Sequence, residues 1–326
     1  MEEMKILWLS TLLFFVNQTV SEDNLLVTYN NMQVTVVNRN FFSVPYHDEP
    51  FVNMDMLEQF ADKLDKIVYR APINAKFDEN DQIIQERPGS KLNLEKFYHL
   101  FLNYYFSKGS GEMEIPVQSI YPRVDSELLS QIHTKQIGQY VTYFNSNNTA
   151  RTNNISLAAN AIDNFVVFPG EVFSFNKVVG MRTVAKGYLS APVIVKGELS
   201  EGIGGGICQV SSTLFNAVDN AGLKIVKRYS HSKLVPYVPP GRDATVSWYG
   251  PDFSFQNKYN QPIIIRTRTI GGRVIIKIYS SDFINYEPRK IPSASEKLPK
   301  EILTIEAQPK KQLLLGNSNR AAYIFV

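Results

Sequence analysis

The sequence predicts an α+β protein, with two consecutive α+β domains after an N-terminal signal segment, mixed or antiparallel sheets and few helices. Three observations predict this fold class. A chain of 326 residues fits about two domains of ordinary size. Apolar residues make up 44% of the chain and charged residues 20%, which allows a substantial core and excludes a disordered protein. Short β-branched and aromatic runs, bounded by turn residues, lie among apolar stripes with helical spacing.

The charge and the cysteine content exclude several classes of function. The net charge of +3 comes from 34 basic and 31 acidic residues, which is too close to balance for a nucleic-acid-binding protein. The single cysteine, Cys208, excludes an internal disulfide. With four histidines in all, the chain has little material for a metal site. We therefore expect no metal, no cofactor and no nucleic-acid partner.

Residues 1–21 predict export. Lys5 precedes an apolar run from Ile6 to Val16, and Thr19 and Ser21 follow with the spacing of a cleavage site. The run has about 11 residues, whereas a helix that spans a bilayer needs roughly 20. We interpret the segment as a signal peptide. A short N-terminal membrane segment, with membrane association through it, is the alternative. Either interpretation places the protein outside the cytoplasm, secreted or associated with the cell wall or membrane.

Residues 22–130 are predicted to form the first α+β domain. The β-branched run Val34–Val37 and the asparagine clusters around it predict short strands and turns. Asp55 is expected to cap one helix, Asn93 to open a second and Asp125 to cap a short third. The apolar positions that share one face are Leu57, Phe60, Ala61, Leu64, Ile67 and Val68 in the first helix and Leu94, Phe97, Phe101, Leu102 and Tyr105 in the second.

A second α+β domain is predicted to follow. Asn154 is expected to open a helix after a polar loop, and Gly271 and Gly272 lie between two strand patterns and predict a β-hairpin. Residues 281–326 are rich in proline, lysine and glutamate up to about residue 312 and predict a linker with a short C-terminal tail. The predicted strands are Ala191–Val195, Lys224–Tyr229, Thr245–Trp248, Ile263–Thr269 and Val274–Tyr279.

Three successive glycines, Gly204, Gly205 and Gly206, run directly into the segment that contains Cys208. The residues after them predict a helix that Gly222 ends, because Val210, Leu214, Ala217, Val218 and Ala221 recur at spacings of three and four. Cys208 therefore falls in the first helical turn. The unpaired N–H groups and the helix dipole there favour an anion and can lower the pKa of a thiol.

Candidate partners for the thiol follow in the chain. His231 lies beyond the next predicted strand, and Asp243 stands just before another. In papain-like and transglutaminase-like enzymes a helix-borne thiol is likewise followed by a histidine and an acidic residue. By analogy with these enzymes, Cys208 would be the nucleophile. His231 would remove the thiol proton and later donate a proton, and Asp243 would hold the imidazole in one tautomer. The backbone N–H groups at the helix start, with Gln209, are candidates to stabilise an oxyanion.

Simpler interpretations use the same residues. Arg242 and Asp243 can form an ordinary ion pair in a loop, and a lone cysteine near a helix is commonly a small buried apolar residue. Ser211, Ser212 and Thr213 can be ordinary polar residues of a helix or can line a ligand groove. The glycine loop can receive a carboxylate or phosphate without any catalysis.

Several segments together resemble the VanW family over roughly residues 138–280. They are Asn154–Ala158, Pro169–Asn176, Val179-Gly180, Gly187-Tyr188, Ala191–Ile194, Gly202–Leu214, Ser230–Ser232 and Tyr237–Val246. Residues 22–130 are similar, more weakly, to the peptidoglycan-binding domain that often precedes VanW domains in exported proteins of Gram-positive bacteria. The family is associated with vancomycin-resistance gene clusters, and hence with the cell envelope and the cell wall.

The resemblance implies a cell-envelope protein that binds peptidoglycan or a cell-wall precursor. The alternative is a cysteine-dependent acyl-transfer enzyme, of peptidase, amidase or transpeptidase type, that uses Cys208 and His231 on cell-wall peptides. Asp243 is the third catalytic candidate. The ligand-binding candidates, all matched to the family's motifs, are Gly204, Gly205, Gly206, Gln209, Ser211, Thr213, Ser232 and Arg242.

Overall fold

The computed structural model describes residues 23–44, 51–195 and 198–297, except for the side chains of residues 193–200. The chain divides into two units, Met1–Ser126 and Glu127–Val326. Helices and mainly antiparallel sheets occur in both, so the predicted α+β class is confirmed. The predicted signal segment and the end of the tail lie outside the described residues. Within the described ranges, no helix is long and apolar enough to cross a bilayer.

The first unit consists of two long helices and small two- and three-stranded sheets. Strands β1 and β2 are antiparallel, β6 joins β1 in parallel, and β3 pairs with β4 and β5 with β7. The elements are β1 Asn24–Tyr29, β2 Met32–Asn38, a 3₁₀ turn Arg39–Phe42, α1 Met54–Val68, β3 Lys76–Phe77, β4 Ile83–Ile84, β5 Gly89–Leu92, α2 Leu94–Phe106, β6 Gly111–Glu114 and β7 Val117–Ile120. A third helix, α3 Ser126–Ile132, begins where this unit ends.

The two long helices of this unit contribute aromatic and aliphatic side chains to its core. Phe60 of α1 and Phe97 and Phe101 of α2 pack with ring centroids about 6 Å apart. Asn93 caps α2 as predicted, by accepting a hydrogen bond from the Lys96 N–H. The prediction of Asp55 as the cap of α1 is wrong. Asn53 caps that helix, because its side-chain oxygen already accepts the Met56 N–H.

The second unit contains the cysteine. A four-stranded antiparallel sheet has the order β8-β16-β15-β9, a second sheet has the order β10-β14-β13, and β11 pairs with β12. The elements are β8 Lys135–Tyr143, α4 Thr149–Ile162, β9 Phe165–Val167, β10 Val172–Ser174, α5 Phe175–Val179, a 3₁₀ turn Val184–Lys186, β11 Ser190–Val195, β12 Glu198–Ile203, α6 Ile207–Asn220, β13 Lys224–Lys227, β14 Ser254–Gln256, β15 Ile263–Ile270 and β16 Arg273–Ser280.

Helix α6 is the predicted cysteine helix, and its position in the core fixes the site. It packs against β8, β16 and α4. Gly138 of β8 permits the close approach, because a Cβ there would lie 2.6 Å from the Ala217 carbonyl oxygen of α6. The predicted end is confirmed, since the helix stops before Gly222, which has a φ of +75°. Part of the predicted linker also lies on this unit, where the Arg289 N–H donates to the Asn220 carbonyl.

Two predicted elements of this unit are wrong. Helix α4 begins five residues before the predicted Asn154, because Asn148 caps it by accepting the Arg151 N–H. No strand forms at Thr245–Trp248. The backbone of that stretch bonds instead to a loop and to α6, with the Thr245 N–H donating to the Tyr229 carbonyl. The hairpin at Gly271 and Gly272 is confirmed as β15 and β16.

Candidate active site

The three glycines form the turn that leads from β12 into α6. Gly204 and Gly206 have φ values of +88° and +105°, which side chains with a Cβ rarely adopt. Gly205 is restricted by space instead, because a Cβ on it would lie 2.5 Å from the Ala191 carbonyl oxygen of β11. Gly204 and Gly205 are buried. The glycine run therefore determines the backbone conformation that places Cys208 in the first turn of α6.

Cys208 is the second residue of α6, as predicted for a residue in the first turn. No side chain caps this helix at Gly206. The Cys208 backbone N–H has no hydrogen-bond acceptor in the described part of the chain. An unpaired N–H at the positive end of a helix dipole is suited to stabilise a negative oxygen next to the thiol.

Cys208 is a partly exposed residue, and its thiol touches the loop that contains Asp243. Its Sγ atom lies 3.5 Å from the Val246 carbonyl oxygen and 3.8 Å from the Thr245 hydroxyl. His231 lies beside the thiol, since its imidazole lowers the pKa of Cys208 and Cys208 in turn raises the pKa of His231. The structure thus brings together the two residues that sequence order pairs as nucleophile and base.

Asp243 orients His231 through two hydrogen bonds to one carboxylate oxygen. The His231 Nδ1 donates to Asp243 Oδ2 over 2.7 Å, and the His231 backbone N–H donates to the same oxygen over 2.6 Å. This occupies Nδ1 and leaves Nε2 for the thiol. The side chains of His231 and Asp243 are 6% and 9% exposed, so solvent screens their interaction weakly. Arg228 supports the loop by donating to the Asp243 carbonyl over 2.7 Å.

The three groups shift one another's pKa values. Burial raises the pKa of the Cys208 thiol, but the hydrogen bond and charge of His231 outweigh burial, so this pKa lies below its ordinary value. Burial lowers the pKa of His231, but Cys208 and Asp243 outweigh it, and the pKa is raised. Burial raises the pKa of Asp243, but its bonds from His231 outweigh that, and the pKa is lowered. These directions favour a thiolate beside an imidazolium.

Three of the predicted ligand-binding side chains are instead bonded inside the core. Gln209, Ser211 and Thr213 are fully buried. Gln209 donates to the Thr142 hydroxyl and the Tyr143 carbonyl and accepts a hydrogen bond from Arg151 over 2.7 Å. Ser211 donates to the Ala244 carbonyl, and Thr213 to the Gln209 carbonyl over 2.7 Å. These bonds satisfy polar groups that would otherwise be costly to bury.

Arg242 also has internal partners. Its Nη2 lies 2.8 Å from Asp219 Oδ2, its Nε donates to Asn216 Oδ1 over 2.7 Å, and its guanidinium lies 4.6 Å from the ring centroid of Phe215. Ser232 is different, because it is exposed and lines a surface pocket of about 180 Å³ beside His231 and Asp243. The complete lining of this pocket is residues 230–235 and 239–241 together with Asp243. Ser232 is thus the predicted ligand residue that a solute reaches most directly.

Four further residues lie near the site, and the sequence suggests a place in a ligand groove only for Ser212. Ser212 joins the helix to the loop, since its hydroxyl accepts the Ala244 N–H over 2.8 Å and donates to the Cys208 carbonyl over 2.7 Å. Tyr237 is buried, and burial, followed by the negative charge of Cys208, raises its pKa. The Thr245 hydroxyl contacts the thiol, and the charge of Cys208 raises the pKa of Arg182 against the effect of burial. Tyr237, Thr245 and Arg182 lie far from Cys208 in the sequence, so no local pattern identifies them, whereas Ser212 lies one turn after Cys208 on the same helix.

In the described ranges, no group of three or more histidine, cysteine, aspartate or glutamate side chains is placed to hold a metal ion.

The comparisons with known proteins agree with the resemblance in the sequence. A family model described as "VanW like protein" matches residues 150–279, which contain Cys208, His231 and Asp243. The "Uncharacterized protein YoaR" of Bacillus subtilis (strain 168) is 59% identical over 281 residues, which cover 86% of this chain and 93% of YoaR. The "Vancomycin B-type resistance protein VanW" of Enterococcus faecalis (strain ATCC 700802 / V583) is 32% identical over 111 residues, or 32% of this chain and 40% of that protein. No solved structure matches the chain. The identity and coverage of these relatives show that the chain belongs to the VanW-like family.

Proposed function

We propose that the protein is a cysteine-dependent acyl-transfer enzyme of the cell envelope that acts on amide bonds in peptidoglycan peptides or their precursors. One observation carries the proposal. The imidazole of His231 lowers the pKa of the Cys208 thiol on one side and is bonded through Nδ1 to the Asp243 carboxylate on the other, in the order that nucleophilic catalysis needs. Such a series is identified by geometry and role rather than by fold.

The first half of the reaction forms a thioester. The Cys208 thiolate attacks the carbonyl carbon, so a C–S bond forms and the oxygen becomes negative. The unpaired N–H of Cys208 is placed to donate to that oxygen. When the C–N bond breaks, the His231 imidazolium gives its proton to the departing amine.

The second half releases the acyl group. Water or an amine attacks the thioester carbonyl while His231 accepts the proton of that nucleophile. The C–S bond then breaks and the thiolate returns, with His231 again an imidazolium. Asp243 stays ionised throughout, because its role is to hold Nδ1–H and stabilise the positive imidazolium.

The envelope setting is supported by the predicted signal segment and by the name of the Enterococcus faecalis relative, a vancomycin resistance protein. Non-catalytic binding of peptidoglycan is the competing function. The polar groups of Gln209, Ser211, Thr213 and Arg242 are bonded within the fold rather than turned towards a ligand, which argues against these four residues as its binding surface.

Mass spectrometry of the intact protein tests the proposal. The full chain is incubated with peptides from digested peptidoglycan, next to a Cys208→Ala variant. We expect the wild type to gain the mass of an acyl group, or the peptides to change, and the variant to show neither effect. Both proteins are also tested for retention on whole sacculi. Retention of both without an adduct and without any change in the peptides would identify a binding protein instead.

A further inference from the structure

Arg182 lies in the loop after α5, and its side chain runs along the edge of the site. Its stem lies against the glycine turn, because a Cβ on Gly204 would be 3.3 Å from the Arg182 Cβ. Its Nη2 donates to Asn176 Oδ1 over 2.7 Å, and Asn176 in turn donates to the Ser247 carbonyl over 2.9 Å. Ser247 directly follows Val246, whose carbonyl touches the Cys208 sulfur. The side chain therefore extends between the two segments that flank the thiol.

The other end of this guanidinium is unpaired. Arg182 Nη1 is buried and has no hydrogen-bond partner in the described part of the chain. Arg182 also lacks a carboxylate within 4.0 Å in that part, whereas other arginines of this unit have one, namely Arg228, Arg242, Arg266 and Arg289. A buried charged donor without an acceptor is costly, which indicates a site that a ligand completes.

The pKa of Arg182 depends on its neighbours. Burial lowers this pKa, and the ionised forms of Tyr188, Cys208 and Asp252, in that order, oppose the effect of burial. Its interaction with Cys208 agrees with the contacts that place the arginine between the glycine turn and Ser247. Arg182 is also not fully enclosed, since the residue is partly exposed.

We infer that Arg182 binds a free carboxylate of the acyl donor next to Cys208, and so determines which substrates the enzyme accepts. The inference rests on the proposed function. Guanidinium is the side-chain group best matched to a carboxylate, because its donors form a planar fork. The preferred substrate is then a peptide with an unblocked carboxylate within a few bonds of the carbonyl that the thiolate attacks. A substrate with an amide in place of this carboxylate would leave the charge of the Arg182 guanidinium uncompensated.

Two alkylating agents of similar size test the inference without knowledge of the substrate. Iodoacetate carries a carboxylate and iodoacetamide a neutral amide, and both alkylate Cys208. We expect the ratio of the iodoacetate rate to the iodoacetamide rate to exceed that of a free thiol at the same pH and ionic strength. In Arg182→Gln this ratio should fall about tenfold or more, as for the loss of a charge-assisted hydrogen bond.

Lys186→Gln is the matched control, because it removes an exposed positive charge from the same loop. We expect it to change the ratio by less than about twofold, since exposed charges are screened by salt. Arg182→Lys, which keeps the charge without the planar fork, should give an intermediate ratio. Equal ratios in wild type and Arg182→Gln would overturn the inference.

A measurement on the wild type covers the case in which Arg182→Gln does not fold. Sodium acetate should slow the reaction of Cys208 with iodoacetamide in a saturable manner, whereas sodium chloride at equal ionic strength should not. Absence of such protection contradicts the carboxylate site. If the proposed function is wrong, the pKa of the Cys208 thiol should be ordinary and should not change in His231→Ala. This result does not depend on the ratio of the iodoacetate rate to the iodoacetamide rate, so the two failures can be told apart.

Discussion

His231 and Asp243 are joined by two hydrogen bonds to the same oxygen, one from the ring at 2.7 Å and one from the backbone at 2.6 Å. The backbone bond fixes the start of the loop, and the ring bond fixes the imidazole within it. This arrangement determines which nitrogen of His231 faces Cys208. The predictions below follow from it and from the helix that supports it.

Asp243→Asn should impair the chemistry more than the fold. An amide cannot stabilise the imidazolium as a carboxylate does, and it can hold the wrong tautomer. We expect the apparent pKa of Cys208 to rise and acyl-adduct formation to fall by about 10²- to 10⁴-fold. The rate of adduct formation measures this effect. Asp282→Asn, at an exposed position, is the control and should leave the rate unchanged. A normal rate in Asp243→Asn would show that the carboxylate has no part in the chemistry.

Asp243 should also make stability depend on pH in a defined direction. Its folded-state pKa is lowered, so its contribution is fully present above the ordinary aspartate pKa and is lost as pH falls through the lower folded value. His231 has a raised pKa, so its contribution is present below the ordinary histidine pKa and is lost as pH rises through the raised value.

Urea unfolding between about pH 2 and pH 9 measures both contributions. We expect the free-energy advantage of the wild type over Asp243→Asn to shrink in acid, and its advantage over His231→Ala to shrink in base. Parallel stability curves for the wild type and both variants would contradict the assigned shifts.

Gly205→Ala should destabilise the turn before Cys208. Its Cβ would lie 2.5 Å from the Ala191 carbonyl oxygen, so the backbone of β11 or of the turn has to move. We expect a loss of about 2–3 kcal/mol in the free energy of unfolding and a slower alkylation of Cys208. Gly170→Ala is the comparison, because a Cβ there meets nothing within 4 Å and only the positive φ is strained. The Gly170→Ala variant should lose about 1 kcal/mol in the free energy of unfolding. Equal losses in both variants would show that the close approach is unimportant.

Ser212→Ala should weaken the connection between α6 and the loop that contains Asp243. The Ala244 N–H would lose its buried acceptor, which costs about 1–3 kcal/mol in stability. Because Ala244 adjoins Asp243, we also expect the apparent pKa of Cys208 to rise. Ser190→Ala, on the exposed part of β11, is the control for both the unfolding and the alkylation measurement. Unchanged stability and unchanged thiol pKa in Ser212→Ala would remove Ser212 from the supporting framework.

The fold and the reacting groups were predictable where the sequence pattern is local. Apolar residues at helical spacing identified α6, the glycine pair identified the β15–β16 hairpin, and the order of Cys208, His231 and Asp243 indicated their pairing. Helix α4 shows the limit of such patterns. Its first turn is polar, and the cap at Asn148 lies in a stretch that reads as a loop.

The surroundings of the site depend on contacts between distant segments. Helix α6 is buried on nearly all sides, so Gln209, Ser211 and Thr213 are bonded internally, whereas a helix with one solvent face would expose some of them. The backbone of Thr245–Trp248 bonds to a loop and to the Cys208 thiol of α6 rather than to a strand, so the β-branched pattern of this stretch does not predict its structure. Arg182 is brought against the glycine turn by the fold and not by its place in the sequence.

The pH dependence of Cys208 alkylation by iodoacetamide, in the wild type and in His231→Ala, tests the central claim most directly. In the wild type we expect an apparent thiol pKa clearly below the ordinary value of about 8.5. In His231→Ala burial is no longer opposed by the imidazole, so the pKa should rise to that value or above it. An ordinary pKa that does not change in His231→Ala would contradict a thiolate–imidazolium pair and, with it, the proposed enzyme.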